Sequence, residues 1–135
     1  MACSTCGFEL WLPISKLEVS TAGLYDDARF PGRTIVSLNE HQEHLEDLSS
    51  ELLLQFMMDV QDTVWAIKAA TSVERVNVAI LGNAVSHVHA HLIPRYPEVE
   101  AKPQNSPWDD PRIKEKMDTE VKLEFIQKIR NKLQS

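Results

Sequence analysis

The stretch His87-Val88-His89-Ala90-His91-Leu92-Ile93 leaves a folding chain few options. Three histidines alternate with apolar residues. A helix would scatter this pattern around its circumference, whereas a strand sorts it onto two faces. At about 3.3 Å of rise per residue, neighbouring imidazoles attach about 6.6 Å apart on one side of the strand. Val88, Ala90 and Leu92 then point to the other side and can pack beneath a sheet. Three imidazoles converging on one surface are a poor way to fill a core. Residues 75–81 alternate as well, with Val76, Val78 and Ile80 against Asn77, Ala79 and Leu81. Gly82-Asn83-Ala84-Val85 joins the two runs, which predicts an antiparallel hairpin.

The rest of the chain supplies what such a hairpin packs against. Leu10, Trp11, Leu12, Ile14, Leu17, Val19 and Leu24, interrupted by Pro13 and Gly23, predict one or two short strands within residues 7–25. Asp26 to Gly32 is a turn signal, and Thr34–Leu38 is a strand. A helix is expected to begin near Ser49 or Ser50, where a hydroxyl can cap free N–H groups and Glu51 suits the positive end. Leu53, Phe56/Met57, Val60, Val64 and Ile67 give it an apolar stripe, and Trp65 with Met57 and Met58 reads as core. Prolines 94, 97, 103, 107 and 111 exclude regular structure from most of a tail segment, residues 94–112. Residues 113–134 predict an amphipathic helix through Met117, Val121, Phe125, Ile129 and Leu133. Strands, helix, hairpin and helix without a βαβ rhythm describe an α+β domain: an antiparallel sheet of about five strands, one long helix packed on it, and a C-terminal amphipathic helix.

The chain has 135 residues, enough for one domain with a core of its own. Its 14 Lys+Arg against 20 Asp+Glu leave a formal charge of −6, which argues against broad nucleic-acid binding. A small anion is still compatible, because a few local donors can hold a phosphate on an acidic protein. No apolar run approaches the ~20 residues that span a bilayer. Met1-Ala2-Cys3-Ser4-Thr5-Cys6 has no basic segment followed by an apolar core, so no secretory signal is expected. Two cysteines are too few for a disulfide framework and fit a reducing cytoplasm.

The histidine strand admits two chemistries. Imidazoles two apart can share a metal ion. Alternatively, one is a nucleophile: an unperturbed histidine titrates near ~6.5 and is largely neutral near pH 7, and its free nitrogen can attack phosphorus while neighbouring rings donate to the phosphate oxygens. Spacing alone leaves both open.

Residues His87–Ile93, followed by Pro94-Arg95, resemble the His-φ-His-φ-His-φ-φ signature of the histidine triad (HIT) family, φ being apolar. The likeness extends over about residues 17–110, through Asp26–Gly32, the strand 34–38, His41 and the helix 49–70. Asn77, Gly82-Asn83 and Pro107-Trp108 resemble a bacterial branch similar to diadenosine polyphosphate hydrolases. The resemblance implies a HIT-like single domain and a nucleotide hydrolase or transferase. His89 would attack the α-phosphorus of a dinucleoside polyphosphate or related conjugate and become transiently nucleotidylated. A backbone carbonyl would orient His89, and His91 would contact the α-phosphate oxygens. Asp26 or Asp27 would meet the ribose, and Asn77 and Asn83 would line the phosphate site with His87 nearby. Many members carry Gln where Asn83 stands. The partner would be a purine nucleotide, adenine foremost, and the protein a homodimer. The central expectation is that the imidazole at 89, unligated and unprotonated, faces an open cleft.

Cys3-x-x-Cys6 sits in an N-terminal segment, residues 1–16. Together with His41 and His87 it makes two thiolates and two imidazoles, the donor set of a closed tetrahedral zinc. Some relatives similar to this sequence carry such a structural zinc, and His44 competes with His41 for the third position. Two free thiols are the alternative. Arg29, Arg33 and Arg95 are the local cations able to offset phosphate charge, and Trp108 can stack on a base or leaving group. The competing function is a nucleotide-binding sensor or adaptor with little turnover.

Overall fold

A computed structural model describes residues 2–10 and 12–134. Trp11, assigned above to the first strands, lies outside the described residues. Five antiparallel strands form one sheet: β1 (Pro13–Lys16), β2 (Ser20–Leu24), β3 (Thr34–Leu38), β4 (Val76–Ala79) and β5 (His89–Pro94), in the order β1-β2-β3-β5-β4. The expected hairpin exists as the β4–β5 pair, with Asn77 opposite Ile93 and Ala79 opposite His91. The long β2–β3 pair and β3–β5 pairing put the histidine strand near the sheet centre.

The α1 helix (Ser50–Thr71) covers one face of the sheet. It starts where the sequence predicts, because the Ser49 hydroxyl accepts from Leu52 N–H at 3.1 Å. A cap of this kind stabilises a helix by about 1 kcal/mol. Its buried side chains, Phe56, Val60, Ala66 and Ile67, meet Ala22, Leu24, Val36, Leu38, Ala90 and Leu92 from the sheet. Full burial of each large apolar side chain contributes about 1.5–3 kcal/mol. One polar group joins this layer. Buried Asp59 accepts from Val19 N–H and the Ser20 hydroxyl, pinning α1 to the start of β2. Trp65, expected in the core, is instead 65% exposed, and Met57 and Met58 are exposed with it. The buried stripe of α1 runs through Phe56, Asp59, Thr63 and Ala66, which turns these three residues outward. Val78 likewise faces solvent, since β4 is an edge strand.

The C-terminal helix, α2 (Thr119–Gln134), begins six residues later than its periodicity suggests. Residues 113–118 are held elsewhere: Met117 N–H donates to Asp26, Ala28 N–H donates to the Glu115 carbonyl, and Lys122 pairs with Asp26 at 3.0 Å. The tail is thereby tied to the loop between β2 and β3. That loop turns at Gly32, whose φ of +95° belongs to the left-handed region and where a Cβ would stand 3.0 Å from Thr71.

Candidate active site and metal cluster

The face of the sheet opposite α1 carries His89 and His91, paired across β3 with Ser37 and Ile35. Alternation along β5 delivers them there, as the sequence predicts, while Ala90 and Leu92 enter the core. His87 lies just before β5, fully buried, and its ring shares a neighbour with His89: Phe8 lies 5.5 Å from one and 5.0 Å from the other.

Hydrogen bonds assign the three rings two tautomers, Nε2–H for His87 and His91 and Nδ1–H for His89. A carbonyl can only accept, so the nitrogen facing it carries the proton. His87 Nε2–H donates to the Leu38 carbonyl at 2.7 Å, which bares Nδ1. His89 Nδ1–H donates to the His87 carbonyl at 2.6 Å, which leaves the lone pair on Nε2. His91 Nδ1 faces an Arg33 N–H at 3.2 Å, and since guanidinium can only donate, His91 carries its proton on Nε2. Burial, then the charges of Arg33 and His89, hold the His91 pKa down to about 4. His91 is thus a neutral ring offering an N–H donor next to a ring offering an electron pair.

The bared Nδ1 of His87 belongs to a second constellation. It lies 3.4 Å from Cys6 Sγ and 3.3 Å from His41 Nδ1, and Cys3 Sγ lies 3.6 Å from His41 Nδ1. All four donor atoms fall within 4.8 Å of one another, so the cluster can hold a metal ion. A turn closed by Cys3 N–H to the Phe8 carbonyl and Gly7 N–H to the Cys3 carbonyl presents both thiols to one point. Backbone N–H groups of Cys6 and then Thr5 pull the Cys3 thiol down to about 6, toward the thiolate a metal needs. His41 lies in the cluster; His44 is exposed and stands before the short helical turn Leu45–Asp47, where its side chain makes no capping bond.

Beyond the cluster the N-terminal segment crosses the sheet. Phe8 stacks on His89 at an interplanar angle of 28°, and Leu10 sits where a Cβ on Gly23 would come within 2.9 Å. His89 is only 6% exposed as a result. The open cleft expected at this ring is not there: the segment that reaches the cluster also lies over it.

On the other flank stand residues that sequence reasoning weighted lightly. Arg33 packs its guanidinium 3.9 Å from the Tyr25 ring centre and 5.6 Å from Trp108. Trp108, half exposed, makes a T-shaped contact with His91 at 5.5 Å between ring centres. Asp27 is buried and holds both Arg29 and Arg33 at 2.9 Å. Asp26 is engaged with Met117 and Lys122. Both carboxylates of the expected ribose position are therefore occupied within the protein. Asn77 accepts from Arg95, whose other donors go to Glu100 and the Asn105 carbonyl, so Arg95 is spent on bracing the tail. Asn83 is exposed in the connection between β4 and β5. Tyr25 and Phe8 were missed, and neither sits in a motif. Only their chain neighbours, Asp26-Asp27 and Cys6, carried a signal.

An antiparallel five-stranded sheet with one covering helix and three alternating histidines on the opposite side defines the histidine-triad class of protein. The HIT domain family matches residues 14–98, and the chain belongs to that family. An uncharacterised HIT-like protein of Methanocaldococcus jannaschii is 32% identical over 72 residues, half of this chain; the match spans only 56% of that relative's length. The crystal structure of a histidine triad protein from Bradyrhizobium japonicum superposes with a TM-score of 0.82 at 25% identity, over 90% of both chains. A zinc-bound histidine triad protein of Mycobacterium smegmatis shares the fold, with a TM-score of 0.63 at 20% identity over 90% of this chain and 83% of that one. So does a diadenosine triphosphate hydrolase of Plasmodium falciparum, with a TM-score of 0.61 at 17% identity over 88% and 74%.

Proposed function

We propose that this protein is a nucleotide hydrolase or transferase that works through a nucleotidyl-histidine on His89. The observation that carries the reading is the bond from His89 Nδ1–H to the His87 carbonyl, which fixes the tautomer with Nε2 free. A neutral imidazole so held is a competent nucleophile, and a covalent route divides one hard displacement into two easier ones. His91, neutral and donating from Nε2, would contact the α-phosphate oxygens. Asn77 and Asn83 would line the approach, Trp108 would contact the base or leaving group, and Asp26 or Asp27 would act at the ribose edge. The nucleotide would be a purine, adenine foremost. The likeness to a diadenosine triphosphate hydrolase supports a dinucleoside polyphosphate as substrate.

Zinc would occupy the Cys3, Cys6, His41 and His87 donors. A tetrahedral zinc, with Zn–N of about 2.05 Å and Zn–S of about 2.3 Å, sets two nitrogens about 3.3 Å apart and nitrogen from sulfur about 3.6 Å apart. The observed spacings of 3.3, 3.4 and 3.6 Å fit that donor set. Its contribution would be structural, fixing the N-terminal segment while the chemistry stays on His89. A second copy of the chain would pair through the β4 edge and the exposed Leu54, Met58 and Trp65 face of α1, which supports a homodimer. Free thiols fit a cytoplasmic setting.

The cover of Phe8 over His89 favours one second reading, a nucleotide sensor with little turnover. A turnover assay on diadenosine polyphosphates and adenosine phosphoramidates beside a nucleotide titration decides. Product formation that His89→Ala abolishes supports the enzyme. Tight binding without product supports the sensor, and no effect of His89→Ala on either overturns both.

A further inference from the structure

The charges around the loop between β2 and β3 do not balance. Arg29, Arg33, Arg95 and Arg112 interlock there with three carboxylates, Asp27, Glu100 and Asp110. Arg95 has Glu100 and Arg112 has Asp110, but Asp27 serves two arginines. The surplus positive charge sits on the side of Arg33, whose side chain is only 6% exposed. His91, the group it touches on the site side, is held neutral. A buried charge without a full counter-charge is costly, and an incoming anion relieves that cost. Arg33 also carries a buried Nε–H with no hydrogen-bond partner among the described residues. Native proteins seldom leave such a donor orphaned unless a ligand completes it. A second cation stands on the same ring: Lys114 Nζ donates to the Tyr25 hydroxyl at 2.7 Å and lies 5.0 Å from its ring centre. Asp109 and Glu115, the nearby acids of that segment, are exposed and screened by solvent. Asp26 of the same loop is matched by Lys122, so the imbalance is local to the buried Arg33, which shares Asp27 with Arg29.

We propose that Arg33 and Lys114, arranged about Tyr25 beside His91, form an anion subsite for the phosphate chain of the leaving group. The preferred substrates are then nucleotides that depart as a polyphosphate rather than as a neutral amine. This rests on the reading of His89 as nucleophile. In the step concerned, His89 Nε2 forms a bond to the α-phosphorus. The bond from that phosphorus to its bridging oxygen breaks, and the electron pair leaves on the oxygen of the departing nucleoside polyphosphate. The negative charge so generated falls beside Arg33 and Lys114, with Trp108 able to cover the departing base. Water then attacks the same phosphorus, the P–Nε2 bond electrons return to His89, and one proton passes to solvent. A neutral amine leaving group gains nothing from either cation.

The test uses the full chain with its metal content measured, and inorganic tripolyphosphate as probe. Binding is followed by calorimetry and by the resonances of the His91 ring and Trp108 indole. In parallel, kcat/KM is compared for diadenosine tetraphosphate and adenosine 5′-phosphoramidate. Wild type is expected to bind tripolyphosphate and perturb both resonances. Lys114→Met, at an exposed position that folding tolerates, should weaken binding about fivefold and lower the polyphosphate-to-phosphoramidate ratio alike. Arg33→Met should weaken it about tenfold or more. No binding to wild type, or binding and ratio unchanged in both variants, overturns the subsite. Tripolyphosphate binding lost in Lys114→Met, in a protein that turns over neither nucleotide, upholds the subsite and removes the hydrolase reading instead.

Discussion

His87 and His89 stand two residues apart and share Phe8 as a neighbour, yet they are prepared for opposite tasks. The carbonyl of Leu38 takes the Nε2 proton of His87 and turns its Nδ1 toward two thiols and His41. The carbonyl of His87 accepts from His89 Nδ1–H and leaves Nε2 unprotonated. The same residue type presents Nδ1 to the cluster or keeps Nε2 free according to which backbone carbonyl it meets. His91 completes the contrast, because an arginine rather than a carbonyl fixes it, and the result is a donor. The N-terminal segment joins the two regions: its cysteines reach the cluster and its Phe8 lies on His89.

The largest separation of the two regions is expected from His89→Ala. Turnover should fall by about 10⁴-fold or more, as when a covalent nucleophile is removed, while metal content by mass spectrometry stays that of wild type. An equal loss of metal would mean that the regions are one site. Next in size is Asp27→Asn. It strips the shared carboxylate from Arg29 and Arg33, and breaking such a buried pair costs about 3–5 kcal/mol, read as a lower midpoint in urea.

Replacing Cys3 and Cys6 by serine acts on the other region. Metal should be lost, Tm should drop by about 10 °C, and the segment before Pro13 should become sensitive to protease. If metal stays bound, the cluster has been misread. The smallest effect is on His91 in Arg33→Met. Burial and the Arg33 charge together hold its pKa near 4. The variant should therefore titrate at higher pH in proton–nitrogen correlation spectra. The linkage has a definite sign. The unfolded ring takes up a proton near histidine's ordinary value of ~6.5 and the native ring only near 4, so stability falls as pH drops through that window. Removing Arg33 should narrow the window from below.

Local pattern made much of this legible. Period-two alternation located β4 and β5, and a serine followed by a three-to-four spacing located the start of α1. The cluster was legible as residue types, two cysteines and two histidines being a donor set for zinc, although free thiols suited the same sequence. What stayed hidden lies in contacts between distant segments. Nothing in Gly7-Phe8 announces that Phe8 will reach His89, and nothing in Thr119 marks the start of α2. That start is set by Met117 reaching back to Asp26. Asp26 and Asp27 were read for their chemistry toward a ligand, and packing spent both, Asp27 on Arg29 and Arg33 within and beside the motif and Asp26 on distant Lys122. Trp65 was misjudged because helical periodicity does not say how wide the buried stripe is.

The most direct measurement is rapid quenching of the protein with diadenosine polyphosphate, followed by mass spectrometry of the peptide that carries residues 87–93. A single nucleotidyl group, acid-labile and located on His89, with His87 unmodified, is the predicted result. Product formed without that adduct under conditions where its hydrolysis is slowed, or an adduct on His87 or His91, would contradict the account.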